Sequence, residues 1–258
     1  MDQSSATDET PVPINIAASL AARALLADVR IVLVDTHLTR NIGAAARAMK
    51  TMGLARLQLV RPQRLPDGEA YKLAVGADDL LQDAQVFADL PAALADCVLV
   101  FGVSARRRRL SLPVDSPASA AQAGLALGAQ PVAFVFGGEE AGLCNDDLLR
   151  CHRLLQIPSD HQFGSLNLAA AVQVITYELR IAALQAQPSA PLARRAVHKE
   201  FEQFMAHLVL QLGPTGGTRS LLIERVRRLL QRAQPSRAEL RMLHGLLATL
   251  RRNADERG

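Results

Sequence analysis

Aromatic residues and cysteines are scarce in this chain. Aromatics make up 3% of its 258 residues and tryptophan is absent, so a platform that stacks single-stranded bases is not expected. Cys97, Cys144 and Cys151 form no C-x-x-C pair, which argues against a disulfide framework and fits a reducing compartment, so we expect a cytoplasmic protein. Cys151 and His152 could be metal ligands, but thiols packed near a helix end explain them better, and we expect no metal.

Long apolar runs are also missing. The two most apolar stretches, 118–136 and 166–184, are interrupted by polar residues, whereas a membrane-spanning helix needs about 20 consecutive apolar residues. We therefore expect no membrane contact. The chain does not start with the basic and then apolar residues of a secretory signal. A composition rich in Ser, Thr, Asp and Pro predicts a disordered tail, which we set at residues 1–27.

The glycine motifs of common nucleotide-binding folds are absent too. The first predicted strand leads into Asp35-Thr-His-Leu-Thr-Arg-Asn-Ile-Gly43, which holds one glycine where G-x-G-x-x-G would be required, and no Walker A motif occurs. This argues against a NAD-dependent oxidoreductase and disfavours the common Rossmann-type methyltransferase.

The chain does contain a regular alternation of short apolar strands and amphipathic helices. The pattern predicts strands at 30–35, 57–60, 84–87, 97–102, 132–136 and 154–157. It predicts helices at 41–53, 69–81, 91–95, 116–127, 145–151 and 166–184. This alternation is typical of an α/β fold, a mostly parallel sheet with helices on both faces. Ligands bind at the carboxyl ends of such strands, which selects the loops 36–41, 103–113, 137–144 and 158–165.

A smaller helical unit follows a linker at 187–194. Three helices are predicted at 197–212, 221–232 and 238–250, with Ser236 as a cap. Between residues 219 and 252 the sequence has nine arginines but only two acidic residues, Glu224 and Glu239. The net charge of the whole chain is +4. This basic extension, 195–258, could bind RNA, which we favour, or could form the rim of a protein contact. Its buried stripe is expected to consist of Leu222, Val226, Leu229 and Leu230.

The first of the selected loops continues into a helix with an unusual glycine. Gly43 and Arg47 share one face of this helix, and we expect Asn41 and Gly53 to cap its two ends. A glycine inside a helix costs about 1 kcal/mol relative to alanine. Gly43 therefore either leaves room for a partner that approaches Arg47 or allows close helix packing, and spacing alone favours the packing.

Two further loops hold residues suited to a binding site. Phe136-Gly-Gly-Glu139-Glu-Ala-Gly142 ends a buried strand in small residues, where a ligand can touch the backbone, and in carboxylates. Ser165-Leu166-Asn167 stands at a helix start, where Ser165 is either a cap or part of a site. Four adjacent arginines at 106–109 repel one another. Such a run indicates either a loop that binds an anionic ligand, such as an RNA backbone, or a solvated loop.

These segments together resemble the signatures of the SPOUT superfamily, in its SpoU branch of RNA ribose 2'-O-methyltransferases. The matching patterns are Asn41-x-Gly43-x-x-x-Arg47, Phe136-Gly-x-Glu139-x-x-Gly142, and Ile157-Pro to Ser165-Leu-Asn-Leu-Ala. The run from Arg47 to Leu54 and the basic extension are similar to the members that methylate cytidine or uridine 32 of tRNA. Two positions depart from the pattern. Relatives often carry a larger polar residue at Gly138, and a tyrosine and a serine at Phe163-Gly164.

The resemblance implies an α/β domain over 28–186 with a C-terminal trefoil knot, and a small all-α extension that dimerises or binds tRNA. It implies a homodimer with active sites at the subunit interface. It also implies S-adenosyl-L-methionine as the methyl donor, bound by Val103, Ser104, Ala105, Gly137, Ile157, Gly164, Ser165 and Leu166. The catalytic residues that it implies are Asn41, Arg47, Glu139, Ser165 and Asn167.

The expected reaction is 2'-O-methylation of a tRNA ribose, at nucleotide 32 of the anticodon loop. We expect Arg47 to bind the phosphate beside the target ribose, because a guanidinium that stays protonated at neutral pH is a poor base. The alternative is that Arg47 is itself the base, deprotonated beside the cationic sulfonium. Asn41 and Glu139 are expected to hold Arg47, and Ser165 and Asn167 to orient the donor or the ribose. The alternatives are methylation of rRNA or of another tRNA site, and a non-catalytic RNA-binding relative.

Overall fold

The computed structural model describes residues 16–106, 110, 112–160, 164–186, 196–212 and 218–255. The strands within these residues are β1 (Val29–Val34), β2 (Arg56–Val60), β3 (Gln85–Phe87), β4 (Leu99–Val103), β5 (Val114–Asp115), β6 (Val132–Phe136) and β7 (Arg153–Leu155). The helices are α1 (Ile16–Leu26), α2 (Thr39–Met52), α3 (Gly68–Ala74), α4 (Asp78–Gln82), α5 (Leu90–Leu94), α6 (Pro117–Leu125), α7 (Asn145–Leu149), α8 (Leu168–Gln185), α9 (His198–Leu212), α10 (Thr218–Ala233) and α11 (Arg237–Asp255).

The seven strands form one sheet in the order β3-β2-β1-β6-β4-β7-β5, and every neighbouring pair is parallel. The predicted α/β class with a mostly parallel sheet is therefore confirmed. The last strand, β7, lies between β4 and β5, so the chain returns to a place between two earlier strands. This order is compatible with the trefoil knot, which stays a prediction.

The central strands are buried on both faces, as a parallel sheet covered by helices requires. Along β1, Ile31 and Leu33 join the core beneath α2, α6 and α8, whereas Val32 and Val34 join the core beneath α5 and α7. Phe101 on β4 stacks on Phe134 of β6 with 4.9 Å between ring centroids. The carboxyl ends of these strands are thus held rigidly at one edge of the sheet.

Two element predictions are wrong. Residues Ile16–Leu26, placed in a disordered tail, form α1, because Ala22 and Leu26 are buried; residues 1–15 lie outside the described residues. Asn41 is not the N-cap of α2, which begins at Thr39 after Leu38. Gly53 ends this helix as predicted, with a positive φ of 86°. The short strand β5 escaped prediction because two residues carry no alternation to detect.

The C-terminal helices pack around a separate apolar cluster. Phe201, Phe204 and Leu240 are buried there, and Ser236 caps α11 as predicted, because its hydroxyl accepts the Glu239 N–H. The expected buried stripe is wrong at Leu222 and Leu229, which are exposed. Val226 and Leu230, the other two members of the expected stripe, do pack against the cluster formed with α9, and Ile223 packs there as well. Residues 187–194, the predicted linker, lie outside the described residues.

Backbone contacts join this cluster to the α/β domain. The His198 N–H donates to the Cys97 carbonyl at 2.7 Å, and the Lys199 N–H donates to the Ala95 carbonyl at 2.9 Å. Gln231 donates its amide to the carbonyls of Leu149 and Cys151. Among the described helices, none is both long and apolar enough to cross a membrane.

Gly43 serves close helix packing rather than a gap beside Arg47. A Cβ at this position would lie 2.0 Å from the carbonyl oxygen of Ala70 on α3, well inside any real contact distance. The glycine therefore lets the two helix backbones approach closely, which decides between the two explanations that the sequence left open.

The first prediction concerns this contact. We expect Gly43→Ala to lower the free energy of unfolding by about 1–3 kcal/mol, because backbone must move to admit the methyl group. The matched control is Gly245→Ala on α11, where nothing lies within 4 Å of the new Cβ, and which we expect to stabilise the protein by roughly 0.5–1 kcal/mol. Chemical denaturation measures both; equal effects of the two substitutions would contradict the packing role.

Candidate active site

A cleft lies at the carboxyl edge of the sheet, between the loops that follow β4, β6 and β7. About 800 Å³ of space is left empty by protein atoms there, part of it open to solvent. All eight residues expected to bind the methyl donor line it: Val103, Ser104, Ala105, Gly137, Ile157, Gly164, Ser165 and Leu166. The sequence missed other lining residues, namely Arg106, Gly138, Glu140, Ala141, Leu143, Leu168 and Ala171.

Three of the expected catalytic residues form one hydrogen-bonded chain beside the cleft. Asn167 donates its amide to Asn41 Oδ1 at 3.2 Å, and Asn41 donates its own amide to Glu139 Oε1 at 2.6 Å. These residues come from α8, α2 and the loop after β6, so the three sequence segments do meet in space. Glu139 also lines the cleft.

The Glu139 carboxylate is held by backbone as well as by Asn41. The His37 N–H donates to Oε2 at 3.0 Å and the Leu38 N–H donates to Oε1 at 3.3 Å. Burial by itself would raise the pKa of Glu139, but these hydrogen bonds outweigh it and lower the pKa below its ordinary value of 4.5. A carboxylate at the start of α2 is also stabilised by the positive end of the helix dipole.

Arg47 lies apart from this chain of hydrogen bonds. Its side chain is exposed, is not among the residues that line the cleft, and makes no hydrogen bond or ion pair with another described residue. Within one chain, therefore, Asn41 and Glu139 do not hold Arg47. Both side chains are committed to each other and to the backbone before α2. Arg47 is free to meet a partner outside its own chain.

The segment before α8 differs in detail from its predicted role. Asn167 is the N-cap of α8, because its side chain accepts the Ala169 N–H at 2.9 Å. Ser165 is not a cap; it lies two residues earlier, exposed and on the wall of the cleft. The helix therefore starts later than predicted, which leaves Ser165 available to a ligand.

The loop between β6 and α7 is folded so tightly that it requires glycine. A Cβ on Gly137 would lie 2.1 Å from the backbone of Gly142, and one on Gly138 would lie 2.3 Å from the carbonyl oxygen of Asp35. Gly142 has a positive φ of 65°, a conformation that favours glycine. The departure from the family at Gly138 is thus explained by the close approach of Asp35.

The described residues contain no group of three or more His, Cys, Asp or Glu side chains arranged to hold a metal. Cys97 and Cys151 are packed thiols, as predicted. Burial raises the pKa of Cys97 to about 12, so it is protonated at neutral pH and is a poor metal ligand.

The basic residues fall into paired and unpaired groups. On α10 and α11, Arg227 binds Glu202, Arg228 binds Glu224 and Arg237 binds Glu200. Other arginines there are exposed, with no hydrogen bond or ion pair to the described part of the chain: Arg225, Arg232 and Arg241. Arg106 is exposed at the mouth of the cleft, whereas residues 107–109 lie outside the described ranges.

The fold is that of an α/β protein with a cleft at the carboxyl edge of a parallel sheet, where α/β enzymes hold small molecules, and the sequence lacks a glycine-rich phosphate loop. The model of the SpoU rRNA methylase family matches residues 28–177, more than half of the chain. The chain therefore belongs to the SpoU methylase family, and the resemblance seen in its sequence is confirmed.

Individual relatives agree with this assignment. The chain is 44% identical over 235 residues to the tRNA (cytidine/uridine-2'-O-)-methyltransferase TrmJ of Sodalis glossinidius, with 88% of this chain and 92% of the relative covered. The crystal structure of TrmJ from Z. mobilis ZM4 is similar with a TM-score of 0.75 at 35% identity, over 86% of this chain and 98% of that one. A structure reported for the 2-OH methylation of C/U34 on tRNA is similar with a TM-score of 0.50 at 26% identity, over 61% of this chain and 97% of that one.

The second prediction concerns Glu139. Because its pKa is lowered on folding, its carboxylate stabilises the folded state above the unfolded pKa near 4.5, and this contribution is lost as the pH falls through the folded value. We expect Glu139→Gln to lower the melting temperature at pH 7, because a glutamine turns an NH₂ group towards N–H donors. The difference from the wild type should shrink below about pH 4.5.

Thermal melts between pH 3 and 8 measure this difference. The control is Glu140→Gln, since Glu140 is exposed and accepts no hydrogen bond from a described residue. A deficit of Glu139→Gln that is the same at pH 3.5 and pH 7 would contradict the assigned role of the carboxylate.

Proposed function

We propose that this protein transfers a methyl group from S-adenosyl-L-methionine to the 2'-OH of a ribose in tRNA. The observation that carries the proposal is the cleft itself: eight residues named from the sequence as donor-binding line one cavity. The Asn167–Asn41–Glu139 hydrogen bonds lie against the same cavity. The names of the relatives, tRNA (cytidine/uridine-2'-O-)-methyltransferases, support the reaction and the substrate class.

The residues of the cleft fit S-adenosyl-L-methionine. Gly137 and Gly164 line the cleft without a side chain, so a ligand can approach the loop backbone there, and Val103, Ile157 and Leu166 give an apolar wall for an adenine ring. Glu139 and Glu140 add negative charge, which suits a cationic sulfonium. When bound, the donor supplies an electrophilic methyl group.

The side chains of this site position the ribose for an in-line attack. Ser165 and Asn167, whose amide is held by Asn41, orient the donor or the ribose, and holding two reactants in line contributes up to about 7–11 kcal/mol to the barrier reduction. Arg47 binds the phosphate next to the target ribose and lowers the pKa of the 2'-OH through its positive charge. Glu139 keeps the start of α2 fixed while RNA binds.

We further propose a homodimer whose active sites lie at the subunit interface, with Arg47 of one subunit serving the cleft of its partner. Arg47 is exposed and does not line the cleft of its own chain. Four exposed apolar side chains on the neighbouring helices α1 and α8 offer a surface for a second copy: Ile16, Leu20, Tyr177 and Leu184. Dimer formation would cover both features.

We propose that nucleotide 32 is the target and that the C-terminal helices form the tRNA-binding surface. The TrmJ relatives match about 86–88% of this chain, and the match therefore extends into the basic extension. Arg225, Arg232 and Arg241 project from it without a partner in the described residues, as phosphate contacts require. The buried thiols suit the reducing cytoplasm, where we place the protein.

A second candidate is methylation at nucleotide 34, which is favoured by the likeness to a protein studied for that position. That protein, however, matches only 61% of this chain. More than a third of the chain therefore has no counterpart in it, and the proposed target remains nucleotide 32.

The third prediction identifies the acceptor atom. A tRNA with a single 2'-deoxyribose at position 32 should accept no labelled methyl group, whereas the same tRNA with the deoxyribose at position 34 should be methylated normally, because only the target 2'-OH reacts. Transfer of radiolabel from the donor measures both. Methylation of the 32-deoxy tRNA together with loss at the 34-deoxy tRNA would establish the second candidate instead.

The fourth prediction concerns Arg47. We expect Arg47→Ala to reduce kcat by about 100-fold or more while donor affinity is unchanged, because Arg47 acts on RNA and not on the donor. The matched control is Lys50→Ala, another exposed cation of α2 that is already paired with Asp79. A loss of donor affinity in Arg47→Ala would contradict this role.

Mixed subunits test where Arg47 acts. Arg47→Ala and Ser165→Ala subunits, each inactive alone, should regain about a quarter of the wild-type activity when they are mixed, because half of the random dimers hold one complete site. If mixed dimers form and stay inactive, each subunit uses its own Arg47 and the proposed exchange is wrong.

A further inference from the structure

One cluster of ion pairs lies directly behind the cleft and takes no part in the reaction proposed above. Arg61, the first residue after β2, donates Nε to Asp35 Oδ1 and Nη2 to Asp35 Oδ2, each at 3.0 Å. The same Nη2 also donates to Asp147 Oδ2 at 3.1 Å. The Asp147 side chain is only 8% exposed. A negative charge so far removed from water needs a positive partner, and Arg61 is that partner.

The first carboxylate of the cluster supports the start of the glycine loop. Asp35 follows β1, and its carbonyl oxygen is the atom against which Gly138 packs. Two residues later, the His37 N–H binds Glu139. The position of Asp35 therefore sets where Gly138 and Glu139, both on the cleft wall, can lie.

The second carboxylate supports the end of the same loop. Asp147 lies on α7, its N–H binds Cys144 Sγ at 3.4 Å, and the Cys144 thiol in turn donates to Asp147 Oδ2 at 3.2 Å. Cys144 directly follows Leu143, which lines the cleft. One guanidinium is thus connected to both ends of the segment 137–144.

The backbone at this cluster is strained, as is common at functional sites. Asp35 has a φ of 52° and Arg61 a φ of 48°, in the left-handed region that side chains other than glycine rarely adopt. Such conformations persist only where the surroundings enforce them. Here the ends of the paired strands β1 and β2 are joined both by the Asp35 N–H to the Val60 carbonyl at 3.0 Å and by the bidentate ion pair.

We propose that Arg61 is a positioning residue for the donor cleft: by holding Asp35 and Asp147 together, it fixes the two ends of the loop 137–144 and so sets the shape of the donor site. The inference rests on the proposed function, because it assumes that this cleft binds S-adenosyl-L-methionine. Arg61 itself touches no substrate. A purely structural ion pair would stabilise the fold without affecting donor binding.

Calorimetric titration of S-adenosyl-L-methionine into the full chain tests the proposal. We expect Arg61→Gln to weaken donor binding by about tenfold or more, and the matched control Arg56→Gln to change it by less than about twofold. Arg56 begins the same strand and pairs with Asp28 at the opposite edge of the sheet. A folded Arg61→Gln variant with wild-type affinity would overturn the proposal. Absence of binding by the wild-type chain would refute the proposed function, and this inference with it.

A double variant tests whether Arg61 positions the loop 137–144 or only neutralises the charge of Asp147. It also keeps the proposal testable if Arg61→Gln alone does not fold. Arg61→Gln combined with Asp147→Asn removes the buried uncompensated charge, so we expect a melting temperature closer to the wild type. Donor affinity should stay reduced by about tenfold, with KM for the donor raised more than KM for tRNA. Recovery of wild-type affinity in the double variant would show that Arg61 only neutralises Asp147, and would overturn the proposal.

Discussion

The carboxylate of Glu139 is the contact on which the rest of the site depends. It accepts the His37 and Leu38 N–H groups and the Asn41 amide, and so joins the loop after β6 to the start of α2. Asn41 then accepts from Asn167, which begins α8. Three segments that are far apart in the sequence are connected by these few hydrogen bonds, and the cleft lies where they meet. Asn41 is the buried member of this chain, and both ends of its amide are paired, as burial of a polar group requires.

The same arrangement explains why Arg47, which does not line the cleft of its own chain, is left exposed. The polar side chains that could have bound it are already used to hold α2, and Gly43 is used to pack α2 against α3. A cation that is left exposed on a rigid helix keeps its charge available to an external anion. The site is therefore divided into a hydrogen-bonded part that borders the cleft and an exposed guanidinium on α2, an arrangement that suits the proposed separate roles in donor binding and RNA binding.

Much of this could be predicted from the sequence, because the informative patterns are local. The strand β6 was predicted at its true limits, since a run of five apolar residues ends in Gly137. The residues expected to bind the donor were named through the family resemblance, and all of them line one cleft. The predicted disordered tail failed at α1, because the limit at residue 27 included Ile16–Leu26, a segment rich in alanine and leucine that buries Ala22 and Leu26.

Other features depend on contacts that no local pattern reports. Asn41 has the side chain of a helix cap, yet a carboxylate 98 residues away takes its amide. The ion pairs of Arg61 escaped notice for the same reason, because an arginine, a left-handed backbone and a buried Asp147 become meaningful only once the strands are side by side. Leu222 and Leu229 of α10 were expected to be buried but are exposed. Helical periodicity showed that α10 has apolar residues, but it could not tell which of its faces packs against α9.

A crystal structure with S-adenosylhomocysteine, the product of methyl transfer, tests the central claim most directly. We expect the product in the cleft between the loops after β4, β6 and β7, in contact with Gly137 and Leu166 and with its sulfur on the side of Glu139. Binding at another place in the molecule, or in a cleft whose Asn167–Asn41–Glu139 hydrogen bonds have separated, would contradict it.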